Sequence, residues 1–369
     1  MRTWAEIDLD NLEYNIEKIK ELSHDRDIMA IIKADAYGMG AVTIAKELSK
    51  MGVKIFGVSS LEEGIELRNN DIDDEILILA GIFNEELEEA EKKNLQVTLT
   101  DLSQIKYINE KGLSLKVHIK VDTGMGRVGF TVEEGKVAID ICREKNIEVV
   151  GVYSHLSVSD ESDEESISYT KKQLEKFRDF EKLEEIKYIH ILNSGGILKF
   201  SEIPQSNLVR AGIIMYGVYG EGVIENLKRV FTLKSRILFL KELKEDIDIS
   251  YGRVGKGYKN NLIATITVGY ADGFRRELSN KGTIEIHGVP CKIVGKVCMD
   301  MLMVRIPDEL KGRVKAGDEV TVMGEDIFDK SIMVGSSIYE LFTGLSRRVS
   351  RVYLKHGKPY LVNSLIGKL

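Results

Sequence analysis

The chain is poor in cysteine and has no segment typical of an export signal. Its three cysteines (Cys142, Cys291 and Cys298) are an odd number among 369 residues, and no pair has the spacing of metal ligands. A disulfide framework and a metal site such as zinc are therefore disfavoured, and a reducing, cytoplasmic environment is expected. The acidic residues Glu6 and Asp8 occupy the region where a signal peptide needs an apolar stretch, so secretion is not expected.

The chain also lacks an excess of basic residues and a long apolar run. Its 59 acidic residues outnumber the 52 basic ones, which gives a formal net charge of -7. A role in binding nucleic acid or an anionic membrane surface is therefore disfavoured. No apolar run reaches the roughly 20 residues of a transmembrane helix, and no proline-rich or glycine-rich stretch marks a linker. The length favours two domains.

Short apolar runs alternate with helical patterns through the first 227 residues. After a short predicted strand at Trp4–Leu9, eight strands are predicted, with segments rich in Glu, Lys and Leu between them. They are Ile28–Ile32, Lys54–Val58, Ile76–Leu79, Gln96–Leu99, Lys116–Val121, Val149–Tyr153, Tyr188–Leu192 and Asn207–Val209. A doubly wound open sheet would show the same local pattern, but the count of eight favours a parallel (β/α)8 TIM barrel over residues 1–227.

The pattern changes after Leu227, where helical periodicity becomes scarce. The strand-like segments are Phe231–Leu240, Leu262–Val268, Gly282–Ile286, Lys292–Val297, Met301–Ile306, Glu319–Met323 and Val352–Leu354. Turns separate these segments, as in a mostly β structure. The sequence therefore predicts a second, mostly β domain over residues 228–369.

Lys33 directly follows the first buried strand of the predicted barrel. Desolvation at such a position lowers the pKa of a lysine and supplies the neutral amine that a Schiff base needs. A lone lysine there is more often one that extends to water past apolar neighbours. The residues that follow the other strands decide between these two interpretations.

Polar residues follow several other predicted strands, at the end where barrels of this class carry their sites. Lys120 and Arg127 follow the fifth strand, His155 the sixth, Asn193 and Ser194 the seventh, and Arg210 and Gly212 the eighth. Glycines after the last two strands allow backbone N–H groups to approach a phosphate, although two ordinary tight turns would look the same. Together with a strand-end lysine they indicate pyridoxal phosphate.

Six collinear motifs carry a family resemblance that runs from the first strand to Tyr339-Glu340-Leu341. They are Ile32-Lys33-Ala34-Asp35-Ala36-Tyr37-Gly38, His118-Ile119-Lys120-Val121-Asp122-Thr123-Gly124-Met125-Gly126-Arg127, Val209-Arg210-Ala211-Gly212-Ile213-Ile214-Met215-Tyr216-Gly217, Ile249-Ser250-Tyr251-Gly252-Arg253, Val268-Gly269-Tyr270-Ala271-Asp272-Gly273 and Val297-Cys298-Met299-Asp300. The sequence resembles the alanine racemases, which are fold-type III pyridoxal-phosphate enzymes.

The resemblance implies two catalytic bases. Lys33 would hold the cofactor covalently and act as one base, and Tyr251, supplied by the partner subunit of a homodimer, would act as the other. One base takes the Cα proton and the second delivers a proton to the opposite face, which is what racemisation requires. His155 would link Tyr251 to Arg210, and Arg210 would face the pyridine nitrogen of the cofactor and discourage its protonation.

The remaining implied roles concern the phosphate, the substrate and the entrance. Tyr37, Ser194, Gly212, Ile213 and Tyr339 match the phosphate contacts of the family, with Asn193 beside them. Arg127 would bind the substrate carboxylate, and a carbamate on Lys120 would hold Arg127 in place. The positions at the substrate entrance, contributed by the partner chain, would be Tyr270, Met299 and Asp300.

The resemblance thus implies interconversion of L-alanine and D-alanine for peptidoglycan synthesis. The unusual stretch Val254–Lys259, with its glycines and lysines, leaves a serine or broad-specificity racemase as the alternative. Decarboxylases of basic amino acids share the barrel but carry an acid where Arg210 stands. A non-catalytic pyridoxal-phosphate carrier would lack the β domain with Tyr251.

Overall fold

The structure is a computed structural model that describes residues 1–204, 206–219 and 222–368. Two compact units make up the chain. One contains Glu13–Met215, and the other combines Met1–Leu12 with Tyr216–Leu369. Within the described residues, no helix has both the length and the apolar character needed to span a membrane.

The first unit is a parallel eight-stranded sheet with helices between its strands. The strands are β2 (Asp27–Ile31), β3 (Ile55–Val58), β4 (Glu75–Ile78), β5 (Gln96–Leu99), β6 (Lys116–Lys120), β7 (Glu148–Tyr153), β8 (Tyr188–His190) and β9 (Leu208–Ala211). Strand β9 pairs with β2, and the order then follows the chain from β2 to β8. Asn207 N–H donates to Ile189 C=O at 3.1 Å and Arg210 N–H to Leu192 C=O at 3.0 Å, which closes the ring between β8 and β9. The predicted barrel is confirmed, and its strand ends lie within two residues of those predicted.

Side-chain caps begin several of the connecting helices. The right-handed helices are α1 (Leu9–Leu22), α2 (Ala41–Lys50), α3 (Leu61–Arg68), α4 (Leu87–Lys92), α5 (Leu102–Lys111), α6 (Val132–Glu144), α7 (Glu164–Phe177) and α8 (Ser194–Phe200). Ser60, Asp101, Thr131 and Asp163 each accept a hydrogen bond from a first-turn N–H. Such caps satisfy backbone donors that the helix itself leaves unpaired.

The second unit is mostly β and is organised around one long sheet. Its strands are β1 (Thr3–Asp8), β10 (Val218–Tyr219), β11 (Gly222–Val223), β12 (Phe231–Glu242), β13 (Ile247–Ile249), β14 (Gly255–Gly257), β15 (Leu262–Ile266), β16 (Thr283–Ile286), β17 (Val289–Lys292), β18 (Leu302–Ile306), β19 (Glu319–Met323), β20 (Ser350–Lys355), β21 (Lys358–Ser364) and β22 (Gly367–Lys368). Its two α-helices are α9 (Ile327–Val334) and α10 (Ile338–Thr343). The main sheet runs β17-β16-β19-β12-β1-β20-β21-β22, and β15 links β12 to β18. The predicted mostly β second domain is confirmed.

The N-terminal strand β1 belongs to the second unit, whereas the predicted first domain spans 1–227. Strand β1 pairs antiparallel with β12 and parallel with β20. Trp4, Ala5 and Ile7 are buried in that unit. The division also falls at Tyr216 and within α1 after Leu12, not at 227. A six-residue strand can pair in either sheet, so the sequence of β1 alone does not show which one it joins.

Candidate active site

Lys33 opens a tight turn at the carboxyl end of β2. The four residues after it, from Ala34 to Tyr37, have φ values between 51° and 57°, in the left-handed region. A left-handed conformation costs about 1–2 kcal/mol for each non-glycine residue. Consecutive strained residues persist only where the surrounding structure fixes them, and such strain is concentrated at functional sites. The turn brings Lys33 and Tyr37 to the same end of the barrel.

Two acidic side chains hold this turn. Glu63 accepts hydrogen bonds from Ala34 N–H at 2.7 Å and Ser59 N–H at 2.6 Å, and so ties the turn to the loop after β3. Asp35 accepts from Ala41 N–H at 2.7 Å, at the start of α2. Charge-assisted bonds of this kind are stronger than neutral ones and offset part of the strain. Glu63 was not predicted as a site residue.

The amine of Lys33 lies among cationic neighbours, although its side chain has access to solvent. Partial desolvation and the positive charges of Arg127 and Arg210 lower the pKa of Lys33, while Glu63 opposes the shift. A larger fraction of the amine is therefore neutral near pH 7 than for an ordinary lysine. This is the state that attacks a carbonyl carbon.

The hydroxyls of Tyr37 and Ser194 and the backbone N–H of Gly212 surround a small space, the cradle, beside the turn that follows Lys33. Gly212 N–H donates a hydrogen bond to Ser194 Oγ at 3.3 Å. A Cβ on Gly212 would lie 2.7 Å from the Tyr37 hydroxyl and 3.5 Å from Ser194 Oγ, so only glycine leaves this space open. Ile213 follows with no solvent exposure. Asn193 caps the N-terminus of α8, where its side chain accepts hydrogen bonds from Gly196 N–H at 3.0 Å and from Ser159 Oγ at 2.8 Å.

Arg210 is a buried cation held entirely by neutral acceptors among its described hydrogen bonds. Its Nη2 donates to the carbonyls of Ser154 at 2.8 Å and Ile191 at 3.0 Å. Its Nη1 lies 3.0 Å from His190 Nδ1 and 3.1 Å from His190 O. Burial lowers the pKa of Arg210 to about 10, which still leaves the guanidinium charged at neutral pH.

His155 contacts Arg210 in one tautomer only. Arg210 Nη2 lies 3.2 Å from His155 Nδ1, and a guanidinium can only donate, so Nδ1 must accept. The proton of the neutral ring is therefore on Nε2. Burial and the nearby cations, Arg210 first among them, hold the pKa of His155 well below its usual value. His155 therefore stays neutral and presents an N–H donor through Nε2.

Lys120 and the loop that carries Arg127 form the next part of the site. Lys120 is buried, donates to Val121 O at 3.0 Å and lies over the Tyr153 ring at 5.2 Å. Burial, with the charge of Arg210, lowers its pKa to about 7. Asp122 accepts from the N–H groups of Gly124, Met125 and Arg127 at 2.8, 2.7 and 3.1 Å, which fixes the loop around the exposed Arg127.

Tyr251 lies in the second unit on a strained, exposed turn. The side chain is 71% exposed, and its neighbours Ser250 and Arg253 have φ values of 71° and 58°. Ser250 Oγ donates to Lys296 O at 2.8 Å and anchors the turn. The stretch Val254–Lys259 contributes strand β14, which pairs with β13 as a hairpin, and Asp248 bridges Arg253 and Lys256.

Two cavities flank Tyr251 within the second unit. One, of about 400 Å³, is lined by Ser250, Tyr251, Cys298, Met299, Asp300 and Met301. The other, of about 550 Å³, is lined by residues that include Tyr251, Tyr270, Phe274 and Arg275. The large side chains of Tyr270 and Met299 are also exposed. This unit therefore presents an aromatic and apolar face around Tyr251.

Backbone contacts join the two motifs that supply Tyr270, Met299 and Asp300. The N–H groups of Tyr270 and Ala271 donate to the carbonyls of Cys298 and Met299, each at 3.0 Å. A Cβ on Gly269 would collide with the backbone of Cys298 and Met299. Asp300 accepts from Arg348 Nη1 at 2.8 Å, and Tyr339 is half-buried near the start of α10.

The predicted residues of the barrel therefore meet at the carboxyl ends of its strands, while the others lie in the second unit. The barrel set is Lys33, Tyr37, Lys120, Arg127, His155, Asn193, Ser194, Arg210, Gly212 and Ile213. The second-unit set is Tyr251, Tyr270, Met299, Asp300 and Tyr339. Their roles remain predictions. Glu63 and Asp122 were not predicted as site residues, although Asp122 lies inside one of the six motifs. The buried polar interior at His118, His190 and Gln96 was not predicted either, and its signal in the sequence is the polar residues within predicted strands.

Known proteins match this chain along almost its whole length. The family described as "Alanine racemase, N-terminal domain" matches residues 7–220, and "Alanine racemase, C-terminal domain" matches residues 230–353. An alanine racemase of Fusobacterium nucleatum subsp. nucleatum is 43% identical over 352 residues, which cover 95% of this chain and 99% of that protein. An alanine racemase of Clostridium novyi is 38% identical over 381 residues, 98% of each chain.

Solved structures show the same relationship. The structure of alanine racemase from Clostridium difficile 630 has a TM-score of 0.90 at 36% identity and covers 99% of this chain and 98% of its own. The alanine racemase of Bacillus anthracis with bound L-Ala-P has a TM-score of 0.89 at 30% identity, with coverage of 99% and 98%. This agreement in both domains, together with the strand-end site, shows that the chain belongs to the alanine racemase family.

Proposed function

We propose that the chain interconverts L-alanine and D-alanine with pyridoxal phosphate, using Lys33 and Tyr251 as its two bases. The observation that supports this most is Lys33 itself, a lysine with a lowered pKa on a strained turn next to a cradle of hydroxyl groups and a backbone amide. The relatives are named alanine racemases, after the interconversion of the alanine enantiomers. The product D-alanine would serve peptidoglycan synthesis.

The residues of the barrel fit the cofactor. The space that a Cβ on Gly212 would fill is bordered by two hydroxyls, of Tyr37 and Ser194, and by the Gly212 N–H, which suits phosphate oxygens. Ile213, Asn193 and, from the second unit, Tyr339 are the further phosphate residues that we propose. When bound through Lys33, the cofactor supplies an electron-withdrawing ring that makes the Cα–H of an amino acid acidic.

Arg210, His155 and Arg127 each have a separate role in this proposal. Arg210 would face the ring nitrogen with a permanent positive charge and so oppose protonation there. The His155 Nε2–H donates toward the Tyr251 hydroxyl of a second copy and stabilises its deprotonated form. Arg127, fixed by Asp122, binds the substrate carboxylate through a charge-assisted pair.

Because Tyr251 lies on an exposed aromatic face, we propose that it completes the site of a partner subunit in a homodimer. Tyr270, Met299 and Asp300 would line the entrance from that partner. Two bases on opposite faces of the substrate let one remove the Cα proton while the other delivers a proton. The substrate is a small amino acid, and a serine or broad-specificity racemase remains the alternative, with the hairpin around Lys256 as the place where specificity would differ.

A chiral product assay tests the proposed function. Purified protein with pyridoxal phosphate is given L-alanine or L-serine in separate reactions, and the D-enantiomer is followed over time. Fast formation of D-alanine with slow D-serine supports the proposal. Comparable or reversed rates favour the alternative, and no product from either substrate contradicts both.

Gly212→Ala is expected to weaken cofactor binding. The added methyl group would lie 2.7 Å from the Tyr37 hydroxyl and fill the cradle. Overpacking of this size costs about 1–3 kcal/mol, which corresponds to a rise of roughly 5- to 150-fold in the Kd for pyridoxal phosphate. Fluorescence titration of the cofactor-free protein measures it. Gly135→Ala, which packs against Val121 and Phe180, is the matched control and should leave the Kd unchanged. An unchanged Kd in Gly212→Ala would contradict the phosphate site.

Lys120 is expected to carry a carbamate. With a pKa of about 7, roughly half of its amine is neutral at pH 7 and can add to carbon dioxide, with loss of one proton. Arg210 and Arg127 then stabilise the resulting anion. In 13C-bicarbonate buffer the protein should give a carbamate NMR signal that falls as the pH drops below about 7. The signal should be absent from Lys120→Ala, and its persistence there would assign the modification to another residue.

A further inference from the structure

A continuous chain of hydrogen bonds, buried except at its Glu75 end, runs through the barrel interior from Arg210 to Glu75. Arg210 Nη1 lies 3.0 Å from His190 Nδ1. His190 Nε2 lies 3.1 Å from His118 Nδ1, and His118 Nε2 lies 2.8 Å from Gln96 Oε1. Gln96 Nε2 donates to a Glu75 carboxylate oxygen at 2.5 Å. We call these five side chains the Arg210–Glu75 relay.

The direction of every hydrogen bond in the relay follows from the arginine. A guanidinium can only donate, so His190 Nδ1 accepts and the proton of that ring lies on Nε2. His190 therefore donates to His118 Nδ1, which places the His118 proton on Nε2. His118 then donates to the Gln96 carbonyl oxygen, which turns the Gln96 amide group toward Glu75. All donors point away from Arg210 and toward the carboxylate.

The barrel is built around the two histidine rings. His118 and His190 have no solvent exposure, and Gln96 has 4%. The Tyr153 ring stacks on His190 at 4.7 Å, and a Cβ on Gly151 would collide with the His118 ring. Burial lowers the pKa of His118 to about 3 and that of His190 well below its usual value. Both rings are therefore neutral, as the relay requires.

The far end of the relay carries a negative charge. Burial would raise the pKa of Glu75, but hydrogen bonds from Lys187 and Gln96 outweigh it and hold the pKa below its usual value. Lys187 Nζ lies 2.5 Å and the Tyr188 hydroxyl 3.1 Å from Glu75 Oε1, whereas Gln96 Nε2 donates to Glu75 Oε2. A carboxylate that accepts from an amide strengthens the acceptor at the other end of that amide, and the effect passes along a chain of hydrogen bonds.

We propose that the relay from Glu75 through Gln96, His118 and His190 holds the Arg210 guanidinium in one orientation and sets its strength as a donor toward the cofactor ring. This inference rests on the proposed function, since the orientation of Arg210 matters only if a cofactor faces it. The four residues beyond Arg210 are positioning residues, because they act on the cofactor through Arg210. This role gives a reason for the polar side chains of Gln96, His118 and His190 in the barrel interior.

The first test uses histidine labelled with 15N in the full-length protein, with and without pyridoxal phosphate. Ring spectra should show His118 and His190 protonated on Nε2 and unchanged between about pH 5.5 and 8.5. Gln96→Leu removes the acceptor for His118 and should shift the ring signals of both histidines. Wild-type signals from the other tautomer, or ring signals in Gln96→Leu that match the wild type, would overturn the proposal.

The second test compares the visible absorbance of the bound cofactor and the split between kcat and KM. Gln96→Leu should change the absorbance and lower kcat about tenfold, with the KM for alanine changed less than about twofold. Glu75→Gln keeps the shape but removes the charge and should give an intermediate effect. The matched control is Gln104→Leu, which removes a buried amide bonded to Ile82 O and Thr100 N, outside the relay. It should match the wild type in both readouts.

The outcomes separate this proposal from the proposed function. If Gln96→Leu folds and shows wild-type absorbance and kcat, or if it behaves as Gln104→Leu does, the relay has no role beyond packing. If Gln96→Leu does not fold, Glu75→Gln decides, and wild-type readouts in that variant would overturn the proposal. If the wild type does not racemise alanine, the proposed function fails, while the histidine ring signals still test the relay.

Discussion

Replacement of Lys33 by alanine is expected to abolish racemisation and the visible absorbance of the lysine-bound cofactor together. The variant removes the only covalent attachment in the proposal and one of the two bases. Loss of a positioned base alone costs about 10²–10⁴-fold in rate, and loss of the covalent link adds to it. The measurements are the initial rate of D-alanine formation and the absorbance spectrum of the dialysed protein.

Lys116→Ala is the matched control for this variant. Lys116 is an exposed lysine at the start of β6, at the opposite end of the barrel strands from the site. It should leave both the rate and the absorbance unchanged. A visible band that persists in Lys33→Ala would move the covalent attachment to another lysine and contradict the assignment.

Tyr251→Phe is expected to keep the absorbance of the bound cofactor and lose most of the racemisation. The substitution removes one hydroxyl from a side chain that is 71% exposed in its own unit, so folding should be little affected. Removal of one of two bases lowers the rate about 10²–10⁴-fold. The rate should fall in both directions, because each base serves one face of the substrate. Initial rates from L-alanine and from D-alanine measure this.

Tyr360→Phe provides the comparison, since Tyr360 is a 53% exposed tyrosine of strand β21, outside the proposed site and outside the hairpin around Lys256. Its rates should equal those of the wild type. If Tyr251→Phe racemises both enantiomers at the parent rate, the second base is another group and the two-base assignment is wrong.

The barrel could be predicted because its strands are short apolar runs separated by amphipathic helices. A strand that is covered on both faces needs no polar alternation, so runs such as Ile76–Leu79 are visible in the sequence. The division of the chain could not be predicted in the same way. Strand β1 finds its partners in β12 and β20, more than 200 residues away, and no local pattern records such a pairing.

The sequence indicates which residues form the site better than it indicates their backbone conformation and hydrogen bonds. Lys33 and Arg210 stand at strand ends, where a charged residue after an apolar run is conspicuous. The left-handed turn after Lys33 was not predictable, because Ala34 and Ala36 favour right-handed backbone and only tertiary contacts such as those of Glu63 impose the other hand. The tautomers of His155 and His190 follow from contacts with Arg210 that the sequence does not contain.

We expect the choice between alanine and serine as substrate to depend mainly on the second unit. The stretch Val254–Lys259 forms a hairpin that Asp248 ties together through Arg253 and Lys256. That hairpin lies next to Tyr251 in the sequence, and Met299 lines a cavity with Tyr251. We therefore expect differences between alanine and serine to depend on this face rather than on the cradle of Gly212.

Deuterium incorporation tests the two-base proposal most directly. L-alanine is racemised in D2O, and the D-alanine formed in the first few per cent of reaction is analysed by mass spectrometry for deuterium at Cα. Because the proton that enters comes from a second base that exchanges with solvent, the account predicts nearly complete deuteration of this early D-alanine. Early D-alanine that retains mostly the substrate's own proton would show a single base that returns it, and would contradict the account.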